Sequence, residues 1–247
     1  MTDTDADTTT IALVTGANKG IGREIARQLG GLGATVWLGA RDEVRGRAAE
    51  AELREGGADA RFVQLDVTDP ASVAAAAEVV DAEHGHLDVL VNNAGIAGPF
   101  DVAPSAMTVG ALRDLYEVNL FGAVAVTNAF LPLVRRAAAG RVVNVSSELG
   151  SLAVAADPPP EYAEVTLLAY NSSKTALNMA TVLLARELQG TSVKVNAVCP
   201  GYCATDLNGF SGHLSPAEGA RVAVRAATLP DDGPTGSFLG ADGFVAW

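Results

Sequence analysis

The stretch Ile11-Ala-Leu-Val-Thr15-Gly16-Ala17-Asn18-Lys19-Gly20-Ile21-Gly22 decides the fold. Its first five residues are a short apolar run with β-branched members, which reads as a strand buried on both faces. The glycines then turn the chain sharply. Beyond them Ile21, Ile25 and Leu29 recur at four-residue steps, which is one face of a helix. A strand, a glycine turn and a helix in this order aim unpaired N–H groups and the positive end of a helix dipole at one point, where a pyrophosphate can approach. A turn that merely packs helix on strand needs no such order. The context therefore makes Gly16, Asn18, Lys19, Gly20, Ile21 and Gly22 a candidate phosphate cradle.

The pattern repeats outward from this unit. Thr35–Leu38, Arg61–Leu65, Leu87–Val91, Arg141–Val145, Val193–Val198 and Ser237–Leu239 read as further strands. Helical segments lie between them. Residues 42–57 are charged and Ala-rich and end in glycines. Asp69 caps the next helix, with Pro70 where a missing N–H costs nothing. Ser105–Arg136 and Ala169–Gln189 are long helical stretches, and Ser215-Pro-Ala-Glu218 is a capping box. About seven apolar strands alternating with helices predict an α/β, Rossmann-type doubly wound parallel sheet with helices on both faces, as a single domain over residues 11–247. Residues 1–10, polar with three aspartates, read as a disordered tail. Ala155–Glu161 holds three consecutive prolines and reads as a surface loop.

Composition excludes several classes. The chain has 247 residues, 17 basic and 29 acidic, for a net charge of −12. Such a surface repels nucleic acid and anionic membranes alike. The apolar stretch Leu120–Val134 is interrupted by Asn128 and Pro132 and is short for a membrane span. No signal peptide is visible, and the two cysteines, Cys199 and Cys203, make no disulfide framework, so a cytoplasmic, reducing location is expected. Both read as packing residues. His84 and His86 flank a glycine, offer too few ligands for a metal and read as a surface turn; no metal is expected. Trp37 reads as core, and His213 has no assigned role.

Three further groups carry chemistry. The second strand ends in Gly39-Ala40-Arg41-Asp42, about where an acid would bind the ribose 2′-hydroxyl of NAD. Arg41 and Lys19 could instead embrace a 2′-phosphate, which favours NADP(H) over NAD(H); the competing reading gives the ribose to Asp42. Tyr170 and Lys174, four residues apart, share a helix face. A free phenol titrates near 10, and bringing it to about 7 takes roughly 4 kcal/mol, part of which an adjacent ammonium can supply. Ser146 and Ser147 end one strand and Asn92-Asn93-Ala94-Gly95 another, at the edge where ligands of open α/β sheets bind.

Together these residues resemble the short-chain dehydrogenase/reductase family, and Ala17–Gly20, Ala40–Asp42, Arg141–Ser147 and Cys199–Tyr202 resemble its carbonyl reductase branch. The other matching elements are Thr15–Gly22, Leu65-Asp66-Val67, Asn92–Gly95, Tyr170-x-x-x-Lys174 and Pro200-Gly201-x-x-x-Thr205, in family order from Ile11 onward. The resemblance implies NADPH-dependent reduction of a ketone or aldehyde. Tyr170 would be the acid, Lys174 would lower its pKa and bond the nicotinamide ribose, and Ser147 would orient the carbonyl. Asn119 would hold a water that relays protons to Lys174. Asp66, with Val67, would lie by the adenine, Asn92 by the adjoining ribose, and Asn93, Ala94 and Gly95 along the cofactor. Pro200, Gly201 and Thr205 would flank the nicotinamide or phosphates. Ser147 and Tyr170 have twenty-two residues between them, more than is usual in the family. That leaves monomer and homodimer both open. The expected partner is a small-molecule carbonyl compound. An alcohol dehydrogenase of a secondary metabolite and a non-catalytic dinucleotide-binding sensor or scaffold are the competing readings.

Overall fold

In the computed structural model, which describes residues 9–247, the apolar runs lie side by side in one sheet. The strands are β1 (Ile11–Thr15), β2 (Thr35–Ala40), β3 (Asp59–Gln64), β4 (Val89–Asn92), β5 (Arg141–Val145), β6 (Lys194–Val198), β7 (Phe238–Gly240) and β8 (Gly243–Phe244). Their spatial order is β3-β2-β1-β4-β5-β6-β7-β8. The first seven run parallel, and β8 folds back antiparallel on β7. The expected strand count of about seven thus gains a two-residue hairpin arm. Most of the expected tail, residues 1–8, lies outside the described residues; Thr9 and Thr10 are exposed.

The helices are α1 (Gly20–Gly31), α2 (Glu43–Glu55), α3 (Pro70–His84), α4 (Val109–Tyr116), α5 (Ala123–Val134), α6 (Leu152–Ala156), α7 (Leu168–Glu187) and α8 (Pro216–Ala227). Strand residues alternate between two cores. Ala12 and Val14 pack with Ile25 and Leu29 of α1, Leu53 of α2 and Ala223 of α8. Ile11 and Leu13 pack on the other face with Val80 of α3, Phe130 of α5 and Leu188 after α7. Each fully buried Val, Leu or Phe side chain contributes about 1.5–3 kcal/mol, so burial on both faces explains why the strand runs are continuously apolar rather than alternating. The caps read from sequence are present: Asp69 accepts from Ala71 N, and Ser215 and Glu218 cap each other's backbone.

Three expectations change. A π-helical turn, Glu117–Gly122, joins α4 to α5. The helix therefore runs unbroken over Val109–Val134, and an 18-residue window of mean hydropathy 1.4 makes it long and apolar enough to cross a membrane. Here Val126, Phe130, Leu133 and Val134 are instead buried in the core. The proline segment is not plain loop: Ser151 caps α6, and Pro160 opens a 3₁₀ turn ending at Tyr162, where its missing N–H leaves nothing unsatisfied. His84 is not in a surface turn. It ends α3 with its ring edge against Trp37, centroids 5.9 Å apart.

Candidate active site

The sheet order reverses direction between β1 and β4, and a crevice opens there at the carboxyl ends of the strands. It is a cavity of about 440 Å³. The β1–α1 turn supplies one wall through Gly16, Asn18, Lys19, Gly20, Ile21 and Gly22. Gly16 and Gly20 have φ of 64° and 56°, which a side chain would strain. A Cβ on Gly22 would lie 2.3 Å from Asn93 Nδ2, so this turn must be glycine for the chain to close on itself. Thr15 and Asn93 hold it in place. Thr15 Oγ1 accepts from the N–H groups of Asn93 and Ala94, and Asn93 Nδ2 donates to Thr15 O at 2.9 Å. Nothing local in the sequence gives Thr15 a role; only the pairing of β1 with β4 shows its purpose.

Arg41, Asp66 and Val67 line the far end of the cavity, and Asn93, Ala94 and Gly95 line its floor. Asp42 turns away, its carboxylate capping α2 by accepting from Arg45 N at 3.0 Å. Asp66 is held below the usual carboxylate range, chiefly by the Thr68 backbone N–H and also by the Arg41 charge. Asn92 departs from its expected place beside a ribose. It is buried beneath the sheet edge, where its Nδ2 donates to Thr127 Oγ1 and Asn144 Oδ1, both at 2.8 Å. The alternation of strand side chains sends Asn92 and Asn93 to opposite sides. Pro200 and Thr205 line the cavity, whereas Gly201, at φ 76°, serves the backbone turn and packs toward Leu214.

Tyr170 and Lys174 project from the first turns of α7 into the same cavity. Lys174 is buried and donates to Val145 O at 2.8 Å, with Nζ 5.8 Å from the Tyr170 ring centroid. Burial pushes Tyr170 up to about 12, with the Ser147 hydroxyl pulling the other way. Burial also lowers Lys174 to about 8. Desolvation dominates at the phenol, and the Lys174 ammonium is turned to the Val145 carbonyl. Of the serine pair, Ser147 sits beside Tyr170, while Ser146 donates to Asn178 Oδ1 at 2.6 Å.

Asn119 lies in the π-helical turn, 1% exposed. Its Oδ1 accepts from Ile96 N at 2.8 Å, and its Nδ2 donates to Ile96 O and Ser173 Oγ. It ties the loop after β4 to α7. A Cβ on Gly95 would reach both Asn119 Oδ1 and Lys174 Nζ, at 3.3 and 3.6 Å, so Gly95 keeps that space open.

A second cavity, about 610 Å³, lies along α7 and is walled by Tyr116, Leu149, Leu152, Tyr162, Leu168 and Asn171. Two of its lining residues lie close in sequence to Ser147 and Tyr170, namely Leu149 and Asn171. Tyr162 Oη donates to Glu148 Oε2 at 3.2 Å and so fastens the proline segment to the turn after Ser147. The cysteines are buried and free, and burial raises Cys199 to about 12 and Cys203 to about 11, so both are inert packing thiols. Among the described residues no three His, Cys, Asp or Glu side chains gather as metal ligands.

The chain is similar to known proteins over most of its length. The model of the short chain dehydrogenase family matches residues 10–213. Carbonyl reductase [NADPH] 1 of Bos taurus is 36% identical, with 96% of this chain and 98% of that protein covered. The (-)-isopiperitenone reductase of Mentha piperita is 36% identical over 95% of this chain and 97% of its own length. The crystal structure of NADPH-bound carbonyl reductase from chicken fatty liver superposes with a TM-score of 0.84 at 28% identity, covering 96% of this chain and 98% of that one. The chain belongs to the short-chain dehydrogenase family.

Proposed function

We propose that the protein is an NADPH-dependent oxidoreductase that reduces a ketone or aldehyde to an alcohol. The observation that carries this reading is a half-buried phenol, Tyr170, beside the Ser147 hydroxyl and Lys174 in the cleft at the carboxyl ends of the strands. The cleft suits the cofactor on its own geometry: glycines where a Cβ would collide, a helix N-terminus, and the cations Lys19 and Arg41 at its rim. Bound there, the reduced nicotinamide supplies hydride. Ser147 donates a hydrogen bond to the carbonyl oxygen and fixes its position. Tyr170 donates the proton as negative charge develops on that oxygen. Lys174 stabilises the phenolate left behind, being cationic below about pH 8 and beside the ring. Asn119 keeps Ile96 and Ser173 in register so that the α7 residues face the cleft.

The cavity beside α7 gives room for a bulky apolar body attached to the carbonyl. A non-catalytic sensor would have no use for Ser147, Tyr170, Lys174 and Asn119 together. A reducing cytoplasmic location agrees with two buried free thiols. The test is NADPH consumption with a panel of ketones, aldehydes and quinones. Tyr170→Phe should lose about 10²- to 10⁴-fold in kcat while keeping its affinity for NADPH; wild-type turnover in that variant would remove Tyr170 from the reaction.

A further inference from the structure

Lys19 and Asp206 line the same cleft from opposite walls, Lys19 in the β1–α1 turn and Asp206 in the turn that follows Thr205. Lys19 Nζ lies 2.8 Å from Asp206 Oδ2. The ammonium assigned above to a phosphate therefore already has a carboxylate of its own chain. Asp66, the cleft's other acid, is occupied differently, with Oδ1 accepting from both the backbone and hydroxyl of Thr68. An ammonium is a compact charge with three donors. It can hold a carboxylate and a phosphate at once only against their mutual repulsion.

We propose that Asp206 is a determinant of cofactor selectivity, because it competes with the cofactor's 2′-phosphate for Lys19. It lowers the preference for NADPH over NADH below what Lys19 and Arg41 alone would confer, and so eases release of the phosphorylated cofactor. The inference rests on the NADP(H) reading above. Both partners are about half exposed, with side-chain exposures of 53% and 47%, so the competition is solvent-screened and its effect modest.

Fluorescence titration of NADPH and NADH into the full-length protein tests it. Asp206→Asn should tighten NADPH by about two- to five-fold and leave NADH nearly unchanged. The gain should vanish when Lys19→Met is added, since nothing then remains to compete for. Three results would overturn the proposal: no gain in NADPH affinity; equal gains for both dinucleotides, which would place Lys19 on the shared pyrophosphate; or a gain that survives Lys19→Met. A wild-type protein preferring NADH would instead refute the cofactor reading itself, and that is visible before any variant is made.

Discussion

At the scale of single residues, burial sets the chemistry of Tyr170 and Lys174 in opposite directions: the neutral phenol is favoured and the ammonium is disfavoured. Lys174 has a measurable consequence for stability. With its folded value near 8 against 10.5 for the free side chain, the unfolded chain holds the extra proton between those limits. Stability conferred at this site must then rise with pH from about 8 to 10.5. Tyr170 acts the other way, but only above pH 10, where the unfolded phenol ionises first. Chemical denaturation of the wild type and Lys174→Met at pH 7 and pH 10 should show the wild type gaining about 2–3 kcal/mol relative to the variant. Parallel pH profiles would mean that Lys174 is solvated like a surface lysine.

At the scale of elements, the catalytic geometry depends on how closely the turn after β5 approaches α7. A Cβ on Gly150 would lie 2.6 Å from Lys174 Cβ and 2.8 Å from the Lys174 backbone carbon. Thr175 Oγ1 and Asn178 Nδ2 both donate to Gly150 O, so the turn is bound tightly at that point. Gly150→Ala must push the turn, with Ser147 at its start, away from the helix that carries Tyr170. We expect a loss of about 1–3 kcal/mol in stability and a fall in kcat larger than the change in NADPH affinity. Gly31→Ala is the control, because nothing lies within 4 Å of its added methyl; a similar kcat loss there would defeat the steric explanation. The π-helical turn works at the same scale: its extra residue per turn points the buried Asn119 at Ile96 and Ser173 together.

At the scale of the whole molecule, one cleft gathers residues from well-separated parts of the chain, Gly16 at one end and Leu207 at the other. A ligand bound across it couples the two halves of the sheet and stabilises the fold by mass action, by about 2.7 kcal/mol at a hundredfold excess over Kd. At equal concentration NADPH should therefore raise the Tm by more than NADH does, and Arg41→Ala should narrow the gap. An unchanged gap in that variant would take Arg41 out of 2′-phosphate binding.

The sequence by itself determined the alternation of strand and helix, the glycine cradle, the helix starts at Pro70 and Pro216, and the Tyr170–Lys174 pair. All of these follow from local spacing, periodicity or backbone chemistry within a few residues. Family resemblance chose Ser147 over Ser146 and added Asn119, which no local signal singles out. Tertiary structure alone decided which of two adjacent asparagines faces the cleft, that Thr15 fastens the cradle, and that Gly150 touches Lys174. It also decided that Lys19 meets Asp206 across the cleft mouth. The physical reason is common to these cases. Each depends on contacts between segments whose separation along the chain says nothing of their distance in space, and on desolvation, which is a property of the packed surroundings rather than of the residue.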